Sequence, residues 1–203
     1  MILLLAFLAM ADPSMMLSKK FPGSKPEYAE VRISMDGQVE YRESPEEDPY
    51  KFKMSAEDTA AVFQLAEKLD KFKRELESGL KVARMGEKTF RWEQNGQTSE
   101  VKFNYSTDVD AQALLDWYER MCESAYHYFD LEKAAKFDKL GVNQAILKLE
   151  AAWDKKRLVA VDQYLPLLDR VAKNDAYLNM ARERAARLAA AFRESPAPKA
   201  KVE

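Results

Sequence analysis

Two stretches of the chain alternate apolar and polar residues with a period of two, which is the pattern of half-buried β-strands. The first stretch has Val31 and Ile33 before a turn, and Val39 and Tyr41 after it. A three-residue loop ending in Gly37 would set Ile33 against Val39 and keep one face apolar. A two-residue loop would mix apolar and polar faces, so we predict the three-residue loop.

An Asn-Gly pair at 95–96 marks a second hairpin, because both residues accept the positive φ angles of a two-residue turn. Pairing about this turn sets Phe90 against Val101 on an apolar face. On the opposite face it sets Arg91 against Glu100, a pair of opposite charge. A ribbon with one apolar face must be covered, so we expect a helix to pack on it.

Two amphipathic segments can supply that cover. Ser55 is the predicted N-cap of a helix over about 56–69. Asp108 or Thr107 is the predicted cap of a longer helix with a continuous apolar arc. The order of strands and helices predicts an α+β sandwich at residues 29–130, in which an antiparallel sheet of hairpins packs on helices.

The apolar phase of the longer helix is lost at about residue 131, which predicts a soft boundary within 130–142. Beyond it, apolar positions three, four and seven residues apart predict a helical hairpin or a three-helix unit at residues 138–194. Asn143 is the expected cap of its first helix. Pro166 is expected just after the start of the next helix, or at a kink within it. The predicted fold class is therefore α+β with a C-terminal helical part.

The two ends of the chain differ from these folded segments. Residues 2–11 form an apolar run that is too short to span a membrane but has the length of a signal-peptide core. The run ends in Ala-Met-Ala, so we expect residues 1–11 to be a signal peptide cleaved after Ala11, with a buried strand or helix as the alternative. This predicts an exported protein, periplasmic or secreted. Residues 12–28 are the expected linker and 195–203 the expected disordered tail.

Charge is nearly balanced over the chain but divided between its halves. The 32 Lys and Arg against 34 Asp and Glu give a net charge of −2, which leaves no overall basic field for nucleic acid. Residues 133–193 hold 13 basic and 7 acidic residues, a net of +6, and residues 1–132 hold 17 and 25, a net of −8. This division favours docking of the two halves. An anionic partner for the basic half, such as a membrane surface, is a weaker alternative.

The composition excludes most catalytic and metal-binding classes. One cysteine and one histidine exclude disulfides within the chain and metal centres with several such ligands. One predicted helix carries, at spacings of four, four and three, Glu119, Glu123, His127 and Asp130. These lie opposite its apolar arc, so we expect them on the solvated side. Cys122 lies in the arc and is expected to be a buried small hydrophobe. We therefore predict no catalytic residue, no cofactor and no metal ligand.

The remaining binding candidates are the aromatic residues Phe90, Trp92, Phe103 and Tyr105, on one side of the second hairpin. Large aromatic side chains on an open sheet face could form a recognition surface. The same positions would also suit a hydrophobic core under a covering helix. The second interpretation is the favoured one.

Three segments, VRISMDGQVEY (31–41), LESGLKVARMG (76–86) and VKFNYSTD (101–108), resemble uncharacterised secreted bacterial proteins with a small α+β domain of unknown function. The resemblance covers about the first two thirds of the chain. It implies a bacterial exported protein with an α+β fold. Its motifs are strands and turns, so it transfers no functional residue.

Elimination leaves two functional hypotheses. The first is a non-enzymatic exported protein that binds another protein or a small ligand, with a groove between the two folded parts as one place for that ligand. The second is an exported hydrolase that uses two carboxylates converging in a cleft. With 34 acidic residues, the sequence alone selects no carboxylate pair.

Overall fold

The chain forms an antiparallel sheet and a group of helices that are joined by one long helix. The computed structural model describes residues 12–194, so the predicted signal peptide (1–11) and tail (195–203) lie outside the described residues. In chain order the elements of the described part are β1 (Ser14–Lys20), β2 (Tyr28–Ser34), β3 (Gln38–Arg42), β4 (Tyr50–Lys53), α1 (Ala56–Lys68), β5 (Glu87–Gln94), β6 (Gln97–Phe103), α2 (Val109–Phe137), α3 (Val142–Asp154), α4 (Leu165–Lys173) and α5 (Asn179–Glu194). The predicted α+β class is confirmed.

The sheet has six strands in the order β4-β3-β2-β1-β5-β6 and contains both predicted hairpins in the predicted registers. In the first hairpin Ile33 pairs with Val39, and Gly37 has a φ of +85° in the turn. A Cβ on Gly37 would lie 2.8 Å from the Met54 carbonyl oxygen, so this turn requires glycine. The second hairpin, β5–β6, pairs about the turn at 95–96 as the sequence predicts.

The prediction of a linker at residues 12–28 is wrong, because β1 within this range is a central strand of the sheet. β1 pairs with β2 on one side and with β5 on the other. Both of its faces are covered: Met15 and Leu17 lie in the core, and Met16 and Ser18 are buried on the opposite face. A strand buried on both faces loses the period-two alternation that identified the other strands.

One face of the sheet is covered by α1 and by the first half of α2. Ser55 accepts a hydrogen bond from the Asp58 N–H at the start of α1, and Asp108 accepts two from the first turn of α2. Together these elements enclose the sheet core, whose largest side chains include Met15, Leu17, Ile33, Leu69, Phe72, Phe90, Leu114 and Met121. Residues 14–125, which supply most of this core, are called the sheet module below.

Helix α2 runs without interruption into the predicted boundary at 130–142 and ends at Phe137. Its buried side chains as far as Ala125 belong to the sheet core, whereas those from Leu131 onward belong to a second core shared with α3, α4 and α5. The lost apolar phase at residue 131 therefore marks a change in what α2 packs against. The two cores are joined by a continuous helix.

The helical module, residues 131–194, combines the end of α2 with the three helices α3, α4 and α5. Pro166 lies in the first turn of α4, as the sequence predicts, where a missing N–H removes no helical hydrogen bond. Asn143 is not the cap of α3, because that helix begins at Val142 after Gly141. None of the helices in the described part combines the length and the apolarity needed to cross a membrane.

Candidate functional site

A groove separates the free edge of the sheet from the loop that joins α3 to α4. Its volume is about 1180 Å³. It is lined by residues 50–55 at β4, by Asp58 of α1, by Arg120 and Tyr128 of α2, and by most of residues 153–163. A groove between the modules was one of the places that the sequence analysis left open for a small ligand.

Arg120 lies at the wall of this groove without an ion pair of its own. The centre of its guanidinium is 4.2 Å from the centroid of the Trp117 ring, three residues earlier on α2, so stacking holds the guanidinium plane. Its Nε is buried and has no hydrogen-bond partner among the described residues. Burial lowers the pKa of Arg120, but an arginine in a protein remains protonated. The groove wall thus contains a cation that forms no salt bridge with the described residues.

Asp58 supplies an opposite charge at the same groove, in the first turn of α1. The residue is only 7% exposed. Burial raises the pKa of its carboxyl, while a hydrogen bond from Ser55 and the charge of Arg120 act in the other direction. Asp58 influences Arg120 through its charge but does not provide the acceptor for Nε. Two opposite charges therefore line the groove without neutralising each other through a direct bond.

The opposite wall, the loop between α3 and α4, is attached to α2 by polar contacts. Arg157 reaches Asp116 through Nη1 at 2.5 Å and Glu123 through Nε at 2.9 Å. The Val159 N–H donates to the Ser124 hydroxyl oxygen at 2.9 Å. These contacts join the basic half of the chain to the acidic half, as the charge division predicts. The partners of Arg157 and Val159 all lie on α2, so that helix positions this part of the loop.

The same loop contains backbone strain. Lys156 and Ala160 line the groove with φ angles of 57° and 51°. A left-handed conformation costs a residue with a side chain roughly 1–2 kcal/mol, so it persists only where the surrounding structure fixes the chain. Near the end of the same loop, Gln163 Oε1 accepts a hydrogen bond from the Tyr50 hydroxyl at 2.9 Å, which bridges the two walls. The groove is therefore a fixed feature of the fold.

The predicted solvated face of α2 is buried at its centre, which corrects the expectation for His127. The His127 ring is buried, its Nδ1 has no hydrogen-bond partner among the described residues, and burial lowers its pKa. Glu123 binds Arg157, and Asp130 binds Lys148 at 3.1 Å. The helical wheel wrongly predicted that this side of α2 is exposed to solvent, because α3 and the loop that follows it cover this side. In the described part of the chain, no three His, Cys, Asp or Glu side chains are grouped to hold a metal ion.

Cys122 packs against the sheet core, as its place in the apolar arc predicts. Burial raises the pKa of its thiol to about 12. A thiol with so high a pKa carries almost no thiolate at neutral pH, and the thiolate is the reactive form. Cys122 is therefore a packing residue.

The aromatic binding candidates do not form a recognition surface. Phe90, Trp92 and Phe103 are buried in the sheet core, and the rings of Phe90 and Phe103 meet edge to face with centroids 5.0 Å apart. Tyr105 lies beyond the end of β6 and is half-buried. Helix α1 and the turn that follows it cover this face of the sheet, so the core interpretation of the three buried aromatics is confirmed.

Two features of the groove escaped prediction from sequence. A helical wheel puts Arg120 on the polar face of α2, where it would be solvated. The available signal was Trp117 three residues earlier, a spacing at which an aromatic ring and a cation meet. Strand β4 was also missed, because it is four residues long and buries only Phe52.

A smaller cavity of about 600 Å³ lies on the other side of Tyr50. Tyr126, Phe129 and an acidic loop line it, and Asp130 at its wall is already bound by Lys148.

Comparison with known proteins gave no relative, since no protein-family model, no curated protein and no solved structure matches the chain. The inference of function therefore depends on the geometry of the groove.

Proposed function

We propose that the chain is a non-enzymatic, exported protein that binds a ligand with an anionic group in the groove between the sheet module and the helical module. The observation that carries this proposal is the Arg120 guanidinium, which lines the groove and forms no salt bridge or side-chain hydrogen bond with the described residues. Its Nε is buried, so the Nη groups are the donors that a ligand can reach. A ligand carboxylate would accept charge-assisted hydrogen bonds from them, and the planar guanidinium is suited to that geometry.

The remaining groove residues favour a ligand with an apolar body and a single negative charge. Tyr128 and Trp153 contribute partly exposed aromatic surface to its walls, whereas Leu158 and Val159, which also line it, are buried. Asp58 lies close enough to influence Arg120 electrostatically. A second negative group on the ligand would be repelled by the Asp58 carboxylate, whereas one carboxylate is balanced by Arg120. Monoanions should therefore bind in preference to dianions.

Phenylacetate is a suitable probe because it joins one carboxylate to one apolar ring. We expect calorimetric titration at constant ionic strength to show saturable binding to the wild-type chain. We expect the Arg120→Gln variant to bind phenylacetate about tenfold more weakly than the wild-type chain does, because it loses a charge-assisted hydrogen bond. Arg193→Gln is the matched control, since Arg193 pairs with Asp169 at an exposed site on α5. Equal affinity in wild type and Arg120→Gln, or no binding to either, would contradict the proposal.

One observation favours the alternative of an exported hydrolase with paired carboxylates. Burial raises the pKa of Asp58 within the groove, and Asp154 and Asp162 line the same groove. A carboxyl that holds its proton can act as a general acid beside a second, ionised carboxylate. Turnover of a glycoside panel that disappears in Asp58→Asn would support the hydrolase and overturn the binding proposal.

Export is the part of the proposal that depends on the apolar run at residues 2–11. Cleavage after Ala11 is compatible with the fold, because β1 begins at Ser14. We expect the full-length chain, expressed with its own first residues in a bacterium, to be recovered from the periplasm or medium with Asp12 at its amino terminus. Recovery of an uncleaved chain from the cytoplasm would contradict export.

A further inference from the structure

The groove is bordered by the edge of β4, which is the last strand of the sheet and pairs only with β3. All six residues from Tyr50 to Ser55 line it. Side chains of a strand alternate between its two faces, so a run of consecutive lining residues shows that the strand presents its edge to the groove. An edge carries backbone N–H and C=O groups that can pair with another strand.

The register with β3 shows which backbone groups are available. The Met54 N–H donates to the Gly37 carbonyl oxygen at 2.9 Å, and Phe52 pairs with Val39. Hydrogen-bonded and outward-facing residues alternate along an antiparallel pair. Residues 54, 52 and 50 therefore bond toward β3, and the peptide groups of Lys51 and Lys53 face the groove.

The other surfaces of the groove complement an extended chain. Opposite β4 lies an apolar wall of Trp153, Leu158 and Val159, of which Trp153 is the partly exposed member that a side chain of such a chain would contact. The Arg120 guanidinium, which has no ion pair among the described residues, lies near the start of α1, where Asp58 follows β4 by a few residues. The edge, the apolar wall and the cation are thus three elements of one site.

The side chains of β4 argue against a second copy of this strand as the occupant. Lys51 and Lys53 are both exposed, and only Lys51 has an ion pair, with Glu40 at 2.6 Å, so two β4 edges in contact would bring two Lys53 cations without ion pairs together. A segment that carries a carboxylate has the opposite charge. Charge complementarity therefore favours an acidic partner segment over self-association.

We propose that the ligand of this groove is an extended peptide that adds to β4 as a further strand and places a carboxylate on Arg120. This inference rests on the binding function proposed above and names its ligand class. The carboxylate is either the carboxyl terminus of the peptide or an Asp or Glu side chain within it. Backbone pairing provides the affinity, and the apolar wall selects alternate side chains.

A pair of variants at Lys53 tests the strand addition on the protein. Lys53→Pro removes the outward N–H and Lys53→Ala keeps it, while both lose the same charge; proline is tolerated on an edge strand. The probe is a fluorescein-labelled pool of hexapeptides with Ala, Ser, Thr or Val at each position and a free carboxyl terminus. Fluorescence anisotropy should show binding about fivefold to tenfold weaker to Lys53→Pro than to Lys53→Ala, the effect of one lost hydrogen bond. Equal binding to the two folded variants would overturn the inference.

Peptide variants provide a second test that does not depend on how Lys53→Pro folds. Two further pools are N-methylated, one at the odd positions and the other at the even positions. The pool whose methyl groups block the N–H groups that pair with β4 should bind more weakly, and the other pool should bind nearly as well as the unmethylated peptides. A pool with an amidated carboxyl terminus, and the same amidated pool with one Glu, identify the source of the carboxylate. Equal binding of both N-methylated pools, or of the acidic and fully amidated pools, would contradict the inference. If phenylacetate still binds through Arg120 while peptides fail, the proposed function stands and the peptide inference falls.

Discussion

The sheet module and the helical module build their cores in different ways and meet on one helix. In the sheet module, backbone pairing between neighbouring strands fixes which side chains face the core. In the helical module, the core is assembled from the apolar faces of separate helices, with no backbone pairing between them. Helix α2 supplies side chains to both. The comparison shows that a single helix can belong to two cores if its buried face changes along its length.

The change of face on α2 leaves a stretch that neither core fills completely. Between Ala125 and Leu131 the helix presents His127 and Tyr128, and just before them Ser124 binds the α3–α4 loop through the Val159 N–H. Polar contacts take the place of apolar packing there, and the groove lies beside them. A junction of two separately packed cores is a common place for a ligand site, because neither core closes it.

The largest effect is expected where the sheet core is broken at its central strand. Leu17 of β1 is fully buried, so Leu17→Ala should lower the free energy of unfolding by about 2–5 kcal/mol. Leu147→Ala on α3 is the control, because Leu147 is exposed. Since α2 belongs to both cores, tryptophan fluorescence and circular dichroism should follow one common transition. Two separated transitions would show that the modules unfold independently.

The connection between the modules is weakened most directly at Arg157. Arg157→Gln leaves Asp116, Glu119 and Glu123 without their shared cation, and because these groups are partly solvated we expect a loss of about 1–2 kcal/mol. Arg193→Gln removes one exposed ion pair and should cost less than about 1 kcal/mol. Denaturant unfolding compares the two variants. A smaller effect at position 157 than at position 193 would be inconsistent with a structural role for the loop contacts.

A change confined to the sheet module is expected from Gly96→Val in the β5–β6 turn. Gly96 has a φ of +73°, and no atom lies within 4 Å of a Cβ at this position, so backbone strain is the only cost. A β-branched residue resists this conformation, and the loss should be about 1–2 kcal/mol. Gly96→Asn should lose less, because asparagine accepts positive φ. An unchanged melting temperature in Gly96→Val would contradict the assigned turn.

The smallest effect is a pH dependence from His127, which lies on α2 between the two cores. Burial lowers the pKa of His127 from 6.5, against the opposing influence of Glu123 and Asp130. The unfolded chain then binds the proton more readily than the folded chain. The contribution of neutral His127 to the free energy of unfolding is fully present above pH 6.5, and it is lost as the pH falls through the pKa of the folded state. The stability of His127→Gln should change less than that of wild type over this window, and a steeper decline would contradict the assignment.

The hairpins could be predicted because their information is local. The Asn-Gly pair at 95–96 and the loop ending in Gly37 fix the registers within a few residues, and both registers were confirmed. β1 could not be predicted in the same way, because its character depends on two neighbours that are distant in sequence. Residues Met15 to Leu17 look like part of an irregular arm until β2 and β5 cover both sides of them.

The candidate groove was even harder to predict from sequence than β1, because its residues depend on contacts between distant segments of the chain. The sequence left a groove between the modules open as one place for a ligand, but it did not identify the residues that line it. Arg120 and His127 both fall on the polar face of a helical wheel, yet His127 is buried and the Nε of Arg120 has no exposed surface. A wheel describes one helix alone, so it cannot show what the α3–α4 loop places over α2.

The position of bound phenylacetate tests the groove as the ligand site most directly. Intermolecular nuclear Overhauser effects connect protons of the ligand ring to protein protons within a few ångströms. Binding through Arg120 predicts such contacts with Trp153 and Val159 on the apolar wall, and their loss in Arg120→Gln. Contacts with Tyr126 and Phe129 in the smaller cavity, in place of those in the groove, would contradict the assignment of the site.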